Sequence, residues 1–138
     1  MKESVRTLPE NISFKLNNKV ILITGATDGI GKALAKKTAK LGAKIILHGR
    51  NKKKLELLSD EIAADKDCQK PSMAILDFEI ADLNSYIKLS DDILDNFNRL
   101  DGLVHCAGIL GDKTPIEQYK PEVWQKVLHV NLTAPFVL

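Results

Sequence analysis

Three closely spaced glycines, Gly25, Gly29 and Gly31, carry the first chemical signal in this chain. They follow a continuously apolar run, residues 20–23, which is typical of a strand buried on both faces. Glycine permits positive φ and close backbone approach, so the turn can wrap a ligand. Helical spacing then indicates a helix whose free N–H groups point at an anion, at Ile30, Leu34, Thr38 and Leu41. The alternative is a plain glycine-rich turn, but strand, spacing and helix together favour a cradle for a nucleotide pyrophosphate.

The rest of the chain alternates strands and helices around that turn. Further strands are predicted at 44–48, 72–77 and 102–106, and helices at 52–64, 81–98 and from 121 onward. Such alternation predicts an α/β fold with a doubly wound parallel sheet in the order 3-2-1-4, whose fourth strand is an unpaired edge. We expect the helix at 52–64 to bury Leu55, Leu58 and Ile62. We expect the helix at 81–98 to bury a wider stripe, namely Leu83, Tyr86, Ile87, Ser90, Ile93, Leu94 and Phe97.

The glycine spacing is G-x-x-x-G-x-G, and with Thr24 in front it resembles the T-G-x-x-x-G-x-G of the classical short-chain dehydrogenase/reductase family. Three other stretches agree in order and spacing: residues 76–78 resemble the end of the family's third strand, 105–108 its N-N-A-G, and 130–132 its helix asparagine. The resemblance implies a Rossmann-type sheet truncated after the fourth strand and part of the following helix. Residues 19–138 are then the N-terminal half of one dinucleotide-binding domain, and residues 1–18 a mobile or loosely docked extension.

The resemblance also implies a set of cofactor contacts. In the family the aspartate at position 77 accepts a hydrogen bond from the adenine amino group; the alternative for Asp77 is a turn or helix cap. The small residues Ala107 and Gly108 let the backbone reach the ribose and nicotinamide. The chain departs from the pattern at His105 and Cys106, which replace asparagines and which we interpret as packed, unreactive residues. The implied contacts are Gly25, Thr27, Asp28, Gly29, Ile30, Gly31, Arg50, Asn51, Asp77, Phe78, Cys106, Ala107 and Gly108.

Arg50 predicts which nicotinamide nucleotide is bound. At the end of the second strand an acidic residue would accept the ribose hydroxyls of NAD, but Gly49 stands there and the planar fork of Arg50 follows. A charged hydrogen bond of roughly 1.5 to 3 kcal/mol predicts about a ten- to hundredfold preference for NADP over NAD. The lysines at 52–54 are interpreted as a solvated basic face. Asp28 argues the other way, since many NADP-preferring relatives carry a basic residue there.

Asn131 is the predicted catalytic residue. Pro135 lies four residues later and has no N–H, so the Asn131 carbonyl is freed for another partner such as ordered water. In the family this asparagine's backbone holds a water of a proton relay. The alternative is a simple proline kink. The family's serine and Y-x-x-x-K pair are not found, because Tyr86 is followed four residues on by Ser90 and Tyr119 by Val123.

The resemblance therefore implies an NADP-dependent oxidoreductase that transfers hydride between the nicotinamide and a small-molecule carbonyl or alcohol, with the 138-residue chain inactive alone. The alternative is a non-catalytic nucleotide-binding or oligomerisation module complete at Leu138. An S-adenosylmethionine enzyme is disfavoured because Arg50 stands where an acidic ribose contact is wanted.

Composition limits the kinds of molecule that the chain is expected to bind. The chain is 44% hydrophobic and 28% charged with a formal net charge of +2, which is too small to imply nucleic-acid or membrane binding. No signal peptide is recognised, so we expect a cytoplasmic protein. Cys68 and Cys106 lack C-x-x-C spacing and the three histidines are unclustered, so no metal site or disulfide is predicted. The unpaired edge and the apolar last helix predict a homo-oligomer.

Overall fold

A computed structural model describes residues 15–138 as a parallel sheet of four strands flanked by helices. The strands are β1 (Val20–Thr24), β2 (Lys44–Gly49), β3 (Ser72–Ile75) and β4 (Gly102–His105). Their order is β3-β2-β1-β4, with Leu22 of β1 between Ile46 and Leu103, which confirms the predicted fold class and strand order. The helices are α1 (Gly29–Lys40), α2 (Lys52–Ala63), α3 (Leu83–Phe97), α4 (Pro121–Leu128) and α5 (Ala134–Val137).

The core lies on both faces of β1, every residue of which is buried. Ile21 and Ile23 pack in one cluster with buried residues of α1 and α2, while Val20 and Leu22 pack in a second cluster with α3. Successive side chains of a strand point to opposite faces, so an apolar run is what a sheet covered on both sides requires.

The predicted buried faces of the helices are partly wrong. Leu55, Leu58 and Ile62 of α2 are buried as expected. On α3, however, Leu83, Ile87 and Leu94 are exposed, and the buried residues are Tyr86, Leu89 and Ile93. Apolar residues cover much of the circumference of α3, and periodicity alone does not say which part meets the sheet.

On α1 the helix approaches the sheet through small side chains. Ile30, the first residue of the predicted helical spacing, is 80% exposed. Thr38 of that spacing is buried, together with Gly31, Ala35 and Ala39. Because Gly31 seats the helix directly against the turn after β1, only small residues fit beneath it.

Turn and cap residues mark the end of β3 and both ends of α3. β3 ends at Ile75 rather than at residue 77, and Asp77 accepts a hydrogen bond from the Glu79 N–H at 3.0 Å. α3 begins at Leu83 because Asp82 accepts from the Ser85 N–H at 2.8 Å. It ends at Phe97, and the residue that follows, Asn98, has a left-handed φ of +54°.

The predicted single helix from residue 121 is interrupted. A π-helical turn, His129–Thr133, joins α4 to α5, and the Ala134 N–H donates to the His129 carbonyl five residues back. Pro135 cannot donate to Asn131, so the regular ladder cannot continue there. A short 3₁₀ turn, Ile116–Gln118, precedes α4.

The predicted extension at residues 1–18 falls mainly outside the described residues. Within the described part, the Leu16 N–H donates to the Leu41 carbonyl at 2.8 Å, and Leu16 packs against the α1–α2 core. In residues 15–138 no helix is long and apolar enough to cross a membrane. The same residues contain no cluster of three or more histidine, cysteine, aspartate or glutamate side chains placed to hold a metal ion.

Candidate functional site

A crevice of about 710 Å³ opens at the carboxyl ends of the strands, where ligands bind in open α/β sheets. The structure brings all the predicted cofactor contacts to this one crevice. They are Gly25, Thr27, Asp28, Gly29, Ile30, Gly31, Arg50, Asn51, Asp77, Phe78, Cys106, Ala107 and Gly108. Asn131 does not line it, although the neighbouring Val130 does.

The floor of the crevice is backbone held at close range. Gly25 has a φ of +62°, and a Cβ at this position would lie 2.6 Å from the Ala107 nitrogen. A Cβ at Gly31 would overlap the Gly25 carbonyl oxygen. Both glycines therefore permit a close contact between backbones that any side chain would prevent, and the turn after β1 touches the end of β4 directly.

Thr24 is a structural member of the site to which sequence reasoning assigned no role. Its side chain is buried, and Oγ1 accepts hydrogen bonds from the backbone N–H groups of Cys106 and Ala107, both at 3.2 Å. The hydroxyl holds the end of β4 beside the glycine turn. Its place immediately before Gly25 was the available signal.

The two helix starts at the crevice carry caps. Asp28 accepts from the Gly29 N–H at 2.8 Å at the start of α1, and Asn51 accepts from the Lys54 N–H at 3.1 Å at the start of α2. The α1 N-terminus faces the crevice with its positive dipole end, which favours an anion. The Asp28 carboxylate lies at the same end, so a bound phosphate has a negative neighbour there.

The wall formed after β3 is aromatic. Phe78 is 5% exposed and its ring stacks on His48 of β2, with ring centroids 4.1 Å apart. His48, which is isolated from the other histidines in the sequence, is buried, and among residues 15–138 neither of its ring nitrogens has a hydrogen-bond partner. Burial lowers the pKa of His48 to about 4, and the Leu76 backbone and the Asp77 charge oppose this only in part.

Arg50 already has a partner within the protein. Its Nη1 lies 2.5 Å from Oε1 of Glu79, and the other oxygen, Oε2, lies 2.5 Å from Nζ of Lys126 on α4. Hydrogen bonds from Lys126 and then Arg50 hold the pKa of Glu79 below its usual range. Neither Glu79 nor Lys126 was predicted for the site, because three elements distant in sequence meet here and no local pattern joins them.

The last residue of β4 and the residue after it, His105 and Cys106, differ from the predicted burial. His105, expected to be packed, is exposed because β4 is an edge strand of the described sheet. Cys106, expected to be buried, is half-buried and packs against the α1–α2 core. The interpretation of Cys106 as an unreactive packing residue stays a prediction.

The side chain of Asn131 joins the π turn to the strand end. Oδ1 accepts from the Ile109 N–H at 2.9 Å, and Nδ2 donates to the Ile109 carbonyl at 2.8 Å. The sequence predicted a role for the Asn131 backbone carbonyl, whereas the structure shows that the Asn131 side-chain amide holds the Ile109 backbone. The amide fixes the loop that borders Gly108 and the open end of the crevice.

The family model for short chain dehydrogenases matches residues 19–138. Among curated relatives, the Uncharacterized oxidoreductase YciK of Escherichia coli K12 is 42% identical over 123 residues, which cover 89% of this chain and 48% of that protein.

Two solved structures with bound nucleotide are also similar. A short chain dehydrogenase of Shigella flexneri 2a, complexed with NADP, matches at a TM-score of 0.85 and 40% identity, covering 91% of this chain and 52% of the other. One of Escherichia coli CFT073, complexed with NADPH, matches at a TM-score of 0.86 and 40% identity with the same coverage. The chain therefore spans about half the length of these relatives.

Proposed function

The chain belongs to the short chain dehydrogenase family, and on that premise we propose that the protein is an NADP-dependent oxidoreductase acting on a small-molecule carbonyl or alcohol. The observation that carries the proposal is a single crevice lined by both the Gly25–Gly31 turn and Arg50. NADP or NADPH is bound in two similar structures, which supports the choice of nucleotide.

The residues present fit a dinucleotide. Gly29 lines the crevice, and a Cβ there would meet no described residue within 4 Å, so a pyrophosphate can approach the backbone at this point. The N-terminus of α1 supplies N–H donors. In the proposed binding mode the adenine lies beside Phe78 and Asp77, and the ribose and nicotinamide lie beside residues 106–108, all of which line the crevice. When bound, NADPH supplies hydride from its nicotinamide, while this part of the protein binds and orients it.

The roles proposed for individual residues follow from their places. Arg50 holds the ribose 2′-phosphate, and Asn51 keeps the start of α2 in place beside it. Asp77 accepts from the adenine amino group, although its hydrogen bond with the Glu79 N–H also supports the turn-cap interpretation. Asn131 serves the reaction by positioning the Ile109 segment, in addition to the backbone role that the family resemblance implies.

The test is a calorimetric titration of the purified protein with NADPH and, in parallel, NADH. We expect Arg50→Ala to weaken NADPH binding about tenfold and leave NADH binding unchanged, since an exposed charged hydrogen bond contributes about 1.5 kcal/mol. Lys53→Ala is the matched control: it removes a cation from the same helix start, outside the crevice lining. Equal loss for both nucleotides, or an equal effect of the control, contradicts the role of Arg50. A folded protein that binds neither nucleotide contradicts the proposed function.

A further inference from the structure

The ion pairs at Arg50 form a bridge across the adenosine end of the crevice. Glu79 uses both carboxylate oxygens, one for Arg50 at the end of β2 and one for Lys126 on α4. Its side chain is only 19% exposed, whereas those of Arg50 and Lys126 are 62% and 50% exposed. The carboxylate is therefore the inner member of the bridge, and Arg50 and Glu79 both line the crevice.

The position of Glu79 is fixed by its own loop. Its N–H donates to Oδ1 of Asp77 at 3.0 Å, and the Ile80 N–H donates to the Asp77 carbonyl at 3.2 Å. The turn holds the Glu79 backbone directly after Phe78, which forms the aromatic wall of the crevice. The carboxylate is thus a built part of the site and not a freely rotating surface charge.

We propose that Glu79 is a specificity-determining residue that competes with the 2′-phosphate of the nucleotide for Arg50, and so reduces the preference for 2′-phosphorylated over unphosphorylated adenosine. A phosphate monoester carries close to two negative charges at neutral pH. A phosphate and the Glu79 carboxylate that both contact the Arg50 guanidinium repel each other, because the carboxylate lies only 2.5 Å from Arg50 Nη1. Phosphate binding therefore weakens the Arg50–Glu79 pair, while Lys126 remains a partner of the carboxylate.

This inference rests on the proposed function, because it concerns the same nucleotide site. An exposed ion pair contributes less than a buried one, so the competition has a modest and measurable size. Competition also predicts the direction of the change in affinity. Removing the Glu79 charge should improve binding of the 2′-phosphorylated ligand. If Glu79 only oriented Arg50, its removal would weaken that binding.

The experiment compares adenosine 2′,5′-bisphosphate with adenosine 5′-monophosphate, which differ only in the 2′-phosphate. Calorimetric titration gives the ratio of their affinities for the wild type, Glu79→Gln and the control Glu56→Gln. Glu56 pairs with Lys52 on α2 outside the crevice lining, so its variant makes the same change in net charge. We expect Glu79→Gln to raise the ratio about two- to fivefold and Glu56→Gln to leave it unchanged.

A double-variant cycle with Arg50→Ala isolates the pair. In that background Glu79→Gln should no longer change the ratio. A ratio that is unchanged or lower in Glu79→Gln, with the fold checked by circular dichroism, overturns the inference while leaving the proposed function standing. A folded wild-type protein that binds neither ligand nor NADPH overturns both.

Discussion

At the scale of single residues, the crevice depends on two positions where a side chain would prevent close backbone contact. Gly25 and Gly31 keep the backbones of β1, α1 and β4 within contact of one another, and a Cβ at either position would enter occupied space. Gly29 also has positive φ, but a Cβ there would meet no described residue within 4 Å. Gly25 and Gly31 are therefore needed for close packing, whereas Gly29 is favoured by its positive φ alone. The spacing of the motif does not show this difference.

His48 is the residue whose chemistry depends most on burial. Its pKa of about 4 is below the ordinary value of 6.5, so the unfolded chain binds a proton more tightly than the folded protein does. The stabilising contribution of neutral His48 is complete above pH 6.5 and is lost as the pH falls toward 4. We expect about 3 kcal/mol of stability to be lost on this account between pH 7 and pH 4.

The measurement is urea unfolding at several pH values for the wild type and His48→Leu. The variant should lack this acid-dependent loss, because leucine has no charge to acquire. His105→Gln, at an exposed histidine, should follow the wild type. Carboxylates lose their own contributions in acid in all three proteins, so only the difference between curves is decisive. Curves that stay parallel for the wild type and His48→Leu contradict the prediction.

At the scale of elements, the π turn decides how the segment after β4 meets the sheet. The turn places the Asn131 amide where it makes two hydrogen bonds with the backbone of Ile109. Val130 and Ala134 on either side are buried with Phe78 and Tyr86 in one cluster. The irregular helix thus packs against the aromatic wall and holds the crevice border at the same time.

Asn131→Ala removes both of these hydrogen bonds. We expect amide hydrogen exchange at Ile109 to become about five- to tenfold faster, since two exposed hydrogen bonds together contribute about 1 kcal/mol. Asn96→Ala is the control, because the Asn96 side chain bonds to Asp92 within its own helix and joins no other element. Unchanged exchange at Ile109, or an equal effect of the control, would show that Asn131 does not hold this segment.

At the scale of the whole molecule, the segment that includes α4, the π turn and α5 exposes large apolar side chains. Trp124, Leu132 and Phe136 are 53%, 63% and 87% exposed. Such a concentration along one segment favours association with another surface. The homo-oligomer, like the cytoplasmic location, stays a prediction.

Light scattering coupled to size-exclusion chromatography tests association directly. We expect a mass above the 15.3 kDa of one chain, rising with concentration, and a shift toward 15.3 kDa in Phe136→Glu. Leu57→Glu is the control, since Leu57 is 71% exposed on α2 among polar neighbours. A wild-type protein that stays monomeric across concentrations, or an equal shift in the control, would contradict the role of this surface.

The sequence by itself determined the strand order, the glycine turn and the set of residues that gathers at the crevice. The strands, their order and the glycine turn follow from general rules: apolar runs form buried strands, glycines permit close approach, and the carboxyl ends of parallel strands meet at one edge. The location of Arg50 at that edge was predictable for the same reason. The set of crevice residues was implied by the resemblance of the motifs to the short-chain dehydrogenase/reductase family.

Only the tertiary structure decided which ion-pair, stacking and hydrogen-bond partners those residues have. The Arg50–Glu79–Lys126 bridge joins β2, the loop after β3 and α4, and the stack of His48 on Phe78 joins β2 to that same loop. The buried side of α3 and the amide contact of Asn131 are of the same kind. Periodicity and spacing describe one segment at a time, whereas these contacts depend on how segments distant in sequence are rotated and packed against one another.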